Sequence, residues 1–447
     1  MSISSSSSYP SARRSSSAVE TFPIFPASLG NCTETNLQRS GQRFLRRTHD
    51  VATSISPSGW VAACSAKQVR LYNVGSANKS RQIPLHVELS IPLGKKEEIR
   101  GVALTEDLLA VITHMQLLVY DEYSRETPNL VKAQRVDQDE CWIPRSVSIS
   151  QSGSPSIDRI ATASVAVGGE GESGVKLFRY KYTTGWNAEN NRTILSCPRN
   201  TGAIKVVGFS PHRSDVLYGP MAFALSTGNR LYCWVVGRSS WPRSTTRLNP
   251  SWYVDCNSSS SGGALRDEIT NAAFVISPIG KPHILCTVNH RPGSHLPPTF
   301  IVPVDTLEYD PQSLRQQMNS IPGSVIGSSV LAGTASRNGR FLIVLEENGH
   351  NDYNMKLLTI RGAHTGGLTC SATGMLSWAV KLRVTNTLAT KVSIFIQEQN
   401  AALEIIAIDG QGHIVHSRIS VPEMLQDQPR PLPPLIHEAP YELAVPD

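Results

Sequence analysis

Gly169-Glu-Gly-Glu-Ser-Gly174 matches the G-x-G-x-x-G spacing that lets a backbone approach a phosphate. A dinucleotide site needs a helix next, so that the helix N-terminus faces the pyrophosphate. The next residues, Val175-Lys-Leu-Phe-Arg-Tyr-Lys-Tyr182, read instead as a strand. The kinase use of the motif also lacks its catalytic-loop and D-F-G partners. A hairpin between two strands is therefore the expectation. His413-x-x-His416 falls in another strand-like run, where period 2 sends i and i+3 to opposite faces. That pair cannot share a metal. His290 and His295 read as part of a Pro-rich loop, and Asp121 and Asp158 as turn-bonding residues at strand edges. No Gly-x-Ser-x-Gly elbow occurs. The sequence presents no catalytic constellation, no cofactor site and no metal site, and the expectation is a chain that is not an enzyme.

The residues that suggest binding are cationic. Arg238, Arg243 and Arg247 surround Trp241 in a Ser/Thr-rich loop, a combination able to hold phosphate and stack on bases. Arg39, Arg43, Arg46 and Arg47 form a second basic group, without the apolar face of a membrane helix. Arg13-Arg-Ser-Ser16 places two arginines ahead of Ser16, a candidate phosphorylation site. In Arg430-Pro-Leu-Pro-Pro-Leu-Ile436, Pro431 and Pro434 share one face of a polyproline helix and Arg430 supplies a flanking charge. The segment resembles an SH3 ligand, although Ile436 stands where the fuller motif has another proline.

These residues need a frame. The chain has 447 residues, 40% hydrophobic and 17% charged, enough for a sizeable core. Lys+Arg 42 against Asp+Glu 36 leaves +6, too little to imply nucleic acid by itself. No run reaches the roughly 18–20 apolar residues of a membrane span. Eight cysteines without a C-x-x-C pair suit a reducing compartment. The Ser-rich start has no apolar signal region, so the expected location is cytoplasmic or nuclear, not secreted. Residues 1–48 read as a mostly disordered Ser-rich tail and 422–447 as a Pro-rich tail.

Between them, residues 49–421 repeat one pattern: an apolar run, a Ser/Thr-opened turn, a second run, a hairpin and a third run. The turns are Ser56-Pro-Ser-Gly59, Thr105-Glu-Asp107, Ser150-Gln-Ser-Gly153, Ser210-Pro-His-Arg213, Ser277-Pro-Ile-Gly280 and Ser336-Arg-Asn-Gly339, with a weaker one at Thr385-Asn-Thr387. Third runs align as Val69–Asn73, Leu117–Asp121, Val175–Arg179, Arg230–Trp234, Thr299–Pro303, Lys356–Ile360 and Glu404–Ile408. The one helix-like stretch is Ser313–Ser320.

The unit Ser56-Pro-Ser-Gly-Trp-Val-Ala-Ala-Cys-Ser-Ala-Lys-Gln-Val-Arg-Leu-Tyr-Asn-Val74 resembles a blade of a WD40-type β-propeller, and the resemblance extends over residues 49–421. It departs from that family in lacking the Gly-His dipeptide, and the closing Trp-Asp survives only as Tyr120-Asp121 and Tyr72-Asn73. In the family, those Asp and His residues fix each blade through a buried polar network, which in this chain is replaced or absent. The resemblance implies an all-β fold, a β-propeller of seven blades of four antiparallel strands, with six or eight also compatible. Each blade leaves an apolar face that only a neighbour covers, so ring closure follows from the physics as well. The function expected is a non-catalytic protein–protein interaction scaffold. The alternatives are a propeller that binds phosphoinositide or nucleic acid and a propeller enzyme with a site in its channel.

Overall fold

The computed structural model describes residues 24–26, 33–36 and, between 52 and 420, the strands and the shorter turns. The longer connections (75–84, 153–161, 212–220, 237–245, 257–267, 305–318, 321–329 and 381–391 among them) and both ends lie outside the described residues. All regular structure described is β.

Seven sheets, each with four strands in meander order or an extension of it, form a ring. Their inner strands are Ala52–Ile55, Ile99–Leu104, Ser146–Ser152, Ile204–Phe209, Glu268–Ile276, Val330–Ala335 and Ser393–Gln399, here blades 1 to 7. Each inner strand neighbours the next, and blade 7 returns to blade 1. The protein is a closed seven-bladed β-propeller. The inner strands all begin at one end of the central channel, the upper face, and end at the lower face.

The second strands explain the closure. Leu108–Thr113 and Met221–Ser226 are buried along their whole length. Such strands need cover on both faces, and neighbouring blades supply it. Apolar clusters join blades 1 and 2 (Leu71, Leu109), 2 and 3 (Ile112, Val165), 3 and 4 (Leu177, Trp234), 4 and 5 (Phe223, Phe274), 6 and 7 (Met355, Leu403) and 7 and 1 (Ile406, Tyr72). The third-strand aromatics Tyr72, Tyr120, Phe178, Tyr232 and Phe300 are all buried there.

The Ser/Thr turns carry polar bonds of their own. In five of the six stronger turns the hydroxyl accepts a backbone N–H at the start of the second strand or directly before it: Ser56 from Trp60 (3.1 Å), Thr105 from Leu108 (3.2 Å), Ser210 from Met221 (3.0 Å), Ser277 from Lys281, the residue before Pro282 (3.0 Å), and Ser336 from Phe341 (3.0 Å). Four of these hydroxyl-bearing residues, all but Ser210, are buried. The sixth differs. Ser150 and Gln151 lie inside the strand Ser146–Ser152, because alternating serines suit a half-exposed inner strand as well as a turn. The seventh, Thr385-Asn-Thr387, lies outside the described residues.

Blade 7 departs from the sequence pattern by one strand. Ser393–Gln399 is its inner strand, Ala402–Ile408 its second and His413–Ser420 its third. Glu404–Ile408 is thus a second strand, not a third. The fourth strand comes from the start of the ring: Thr33–Asn36 pairs antiparallel with His413–His416. Ile24–Pro26 likewise adds in parallel to Met375–Val380 at the edge of blade 6. The repeat pattern starts the ring at residue 49; these two strands lie before it. They are short, and Thr33-Glu-Thr-Asn36 carries no apolar period to betray it. Of Ser313–Ser320, only Asn319–Ser320 is described, and it is a strand.

Candidate functional site

Four inner strands carry a one-residue bulge at the same level, just inside the upper mouth of the channel. The register slips between Ile99 and Gly101, Ile204 and Val206, Ile269 and Asn271, and Val330 and Ala332. The extra residues are Arg100, Lys205, Thr270 and Leu331. A bulge bends its strand and re-aims a side chain, and it leaves backbone groups that the ladder no longer serves.

The preceding blade serves them. Ile99 N–H donates to the Ala66 carbonyl (2.8 Å), Ser146 Oγ donates to the Ile204 carbonyl (3.0 Å), Ile269 N–H donates to Asn229 Oδ1 (3.1 Å), and Thr270 Oγ1 donates to the Val330 carbonyl (3.2 Å). Asn229 reaches its partner from a left-handed conformation, φ 56°, that Asn tolerates. The bulges therefore stitch blades together, and at two of them, Arg100 and Lys205, the extra residue is a cation.

The charge lies on blades 2 to 5. Arg100 is exposed and has Arg145, Glu98 and Glu170 in its electrostatic surroundings; desolvation, then the like charge of Arg145, lowers its pKa. Arg145 holds Glu170 through Nε (2.9 Å) and Nη2 (2.6 Å). Lys205 pairs with Glu268 at 3.4 Å, and burial lowers its pKa while Glu268 opposes the shift. Arg100, Arg145 and Lys205 thus occupy three consecutive blades, with carboxylates close to each. The signal in the sequence is weak but real: Arg100, Lys205 and Glu268 each flank a buried or half-buried isoleucine at an inner-strand start.

Gly169 and Gly174 stand at the base of the expected hairpin, between the antiparallel strands Thr162–Gly168 and Val175–Lys181; Gly171 and Glu172 lie outside the described residues. Gly169 N–H donates to the Gly174 carbonyl at 2.6 Å. The glycines admit neighbouring side chains: a Cβ on Gly169 would lie 2.1 Å from the Trp142 ring, and one on Gly174 2.4 Å from Cys197 Sγ. Lys176, almost fully buried, sets its Nζ 4.1 Å from the centre of that indole.

Of the residues singled out in the sequence, Arg247 is exposed on the strand Thr246–Leu248. That strand leaves blade 4 and adds in parallel to Thr193–Leu195, at the outer edge of blade 3. Arg238, Trp241 and Arg243 lie outside the described residues, as do Arg39, Arg43, Arg46, Arg47, Ser16, Arg430, Pro431, Pro434, His290, His295 and Asp158. His416 contacts Glu404 at 2.9 Å, and that hydrogen bond lowers the Glu404 pKa. Burial raises the pKa of Asp121, against a hydrogen bond to Asn129. Among the described residues, no group of three His, Cys, Asp or Glu side chains converges to hold a metal. No described helix is long and apolar enough to cross a membrane.

No family model matches the chain, and no curated protein matches it. Among solved structures, the Pan2 WD40 domain of Neurospora crassa aligns over 86% of this chain and 95% of its own length, with 8% identity and a TM-score of 0.48.

Proposed function

We propose that the chain is a non-catalytic scaffold that presents one face of its ring to protein partners, and that the upper mouth of the channel is the face used. The observation that carries this reading is the set of bulges aligned on blades 2, 4, 5 and 6. They give up backbone regularity at one level of the ring and set Arg100, which feels the charge of Arg145, and Lys205, which pairs with Glu268, on blades 2 and 4. Bulges concentrate where a sheet re-aims side chains for use. A ring locked on all sides holds such groups still, so little ordering entropy opposes docking. Mixed charge at a rim favours register and partner choice over raw affinity. The buried free thiols of Cys64, Cys197, Cys233, Cys256 and Cys286 support work in a reducing compartment, cytoplasm or nucleus.

The test is affinity capture of the tagged full chain from cells, read by mass spectrometry, beside the variant Arg100→Ser/Arg145→Ser. The Arg145–Glu170 pair is more than a third exposed on both sides, so its loss costs the fold about 0–1 kcal/mol. A stoichiometric protein set held by the wild type and lost by the variant is expected. Capture of nucleic acid or anionic lipid alone, or of nothing, contradicts the reading.

A further inference from the structure

The lower face carries a different surface, on the outer rim of blades 1 and 2. Trp60 opens the second strand of blade 1 and is half-buried. Its ring meets His86 edge-on, with centroids 4.8 Å apart, and Tyr123 likewise at 5.9 Å. Tyr123 is fully buried and donates its hydroxyl to the Thr105 carbonyl at 2.7 Å. It is a fixed wall behind Trp60. His86 is exposed and held by the Ser124 carbonyl at 3.1 Å. Two of the three large apolar residues most exposed among those described, Leu85 (43%) and Leu130 (42%), lie at the lower ends of the outer strands of these same two blades. Carboxylates border the patch: Glu106 and Asp107 both act on the Tyr123 hydroxyl through space, while Glu122, directly before Tyr123, is paired with Arg125 at 2.6 Å.

Aromatic rings flanked by acids are the chemistry that receives a polyproline helix with a cationic residue beside it. The chain carries such a segment. It leaves blade 7 at Ser420, beside Ala402, which itself pairs with Gln399 at the lower end of an inner strand. The chain therefore departs on the lower face, and blade 7 adjoins blade 1. Arg430 comes about ten residues later, a distance of up to ~35 Å when extended. One four-stranded blade is roughly 15–20 Å across. We propose that residues 430–435 dock as a polyproline helix on the Trp60–His86 surface of the same chain, with Arg430 toward Glu106 and Asp107.

The test titrates a fluorescent peptide of residues 426–440 into two full-length proteins, the wild type and Arg430→Ala/Pro431→Ala/Pro434→Ala. The altered tail leaves the surface open, so the peptide is expected to bind that protein at least about fivefold more tightly than the wild type. Adding Trp60→Ala to the altered tail should weaken binding about tenfold or more. Glu106→Lys, on an exposed turn, should weaken it without touching the aromatic packing. Equal binding to the two proteins, no binding to either, or binding that survives both Trp60→Ala and Glu106→Lys overturns the proposal. So does an SH3 domain that binds the wild-type chain as tightly as it binds the free peptide.

Discussion

Thr53 and Ser393 stand 340 residues apart in sequence and share two hydrogen bonds: their hydroxyls lie 2.9 Å apart, and Ser393 Oγ donates to the Thr53 carbonyl at 3.2 Å. They join the first inner strand to the last. Contacts between other blades form between consecutive units; this one, like the Ile406–Tyr72 packing of the same two blades, requires the whole ring. A hydrogen bond of this kind contributes about 1 kcal/mol, and leaving one partner unmatched costs about 1–3 kcal/mol. Thr53→Val and Ser393→Ala should each destabilise the chain by about that much. The double variant should lose less than the sum, because it removes both partners. Denaturant midpoints of the four proteins check this, and strict additivity would refute the link.

The turn hydroxyls should matter more than their exposed setting in the sequence suggests. Ser336 is buried, and its Oγ is the acceptor for Phe341 N–H. Ser336→Ala leaves that donor buried and unmatched, for a loss of about 1–3 kcal/mol. Equilibrium unfolding should show it; a variant as stable as the wild type would mean that the turn's hydroxyl bond does not hold the fold.

Gly59 and Gly339 occupy the same turn position, with φ +82° and +70°. Their surroundings differ. A Cβ on Gly59 finds only Ile406 Cδ1 at 3.9 Å, whereas one on Gly339 would lie 1.8 Å from the Ile276 carbonyl oxygen of the neighbouring blade. Gly59→Ala should cost about 1–2 kcal/mol, the strain of a left-handed L-residue. Gly339→Ala should cost more, since backbone must move. Thermal unfolding of the two variants should place Gly339→Ala clearly lower; the reverse order would place blades 5 and 6 further apart than described.

His283 makes stability depend on pH. Its Nδ1 meets the Lys281 carbonyl at 3.0 Å, so that nitrogen carries the proton, and Nε2 is buried with no hydrogen-bond partner among the described residues. Burial pulls its pKa down to about 4. The unfolded residue titrates near 6.5. Between those values the unfolded chain binds a proton that the folded one refuses. Its contribution is therefore intact above about pH 6.5 and is lost as pH falls toward 4, by up to ~1.4 kcal/mol per pH unit. His283→Gln should flatten that part of the urea-midpoint profile. Equal slopes for the two proteins would mean that His283 is accessible to protons in the fold.

Much of this architecture is visible in the residues. The Ser/Thr–Gly turns announce themselves because one hydroxyl and one φ-permissive residue suffice to build each, and the Ser56, Thr105, Ser277 and Ser336 turns form as read. Ser150-Gln-Ser-Gly153 has the same letters but sits within a strand through Ser152, since serine satisfies either setting. The blade 7 offset is hidden because its fourth strand, Thr33–Asn36, is polar and far away in sequence. The mouth is hidden for another reason. A bulge at Arg100 or Lys205 breaks the period of 2, so alternation misplaces the very residues that the bulge displays.

Docking at the upper mouth is tested most directly by affinity. Once a captured protein is in hand, its dissociation constant should be measured against the wild type, Arg100→Ser/Arg145→Ser on the upper face, and Glu106→Lys on the lower face. Partners that meet the ring at its mouth should bind the upper variant about tenfold or more weakly (roughly 1.4 kcal/mol per decade) and the lower one unchanged. Unchanged affinity for the upper variant with a loss for Glu106→Lys would contradict this and move the docking surface to the opposite face.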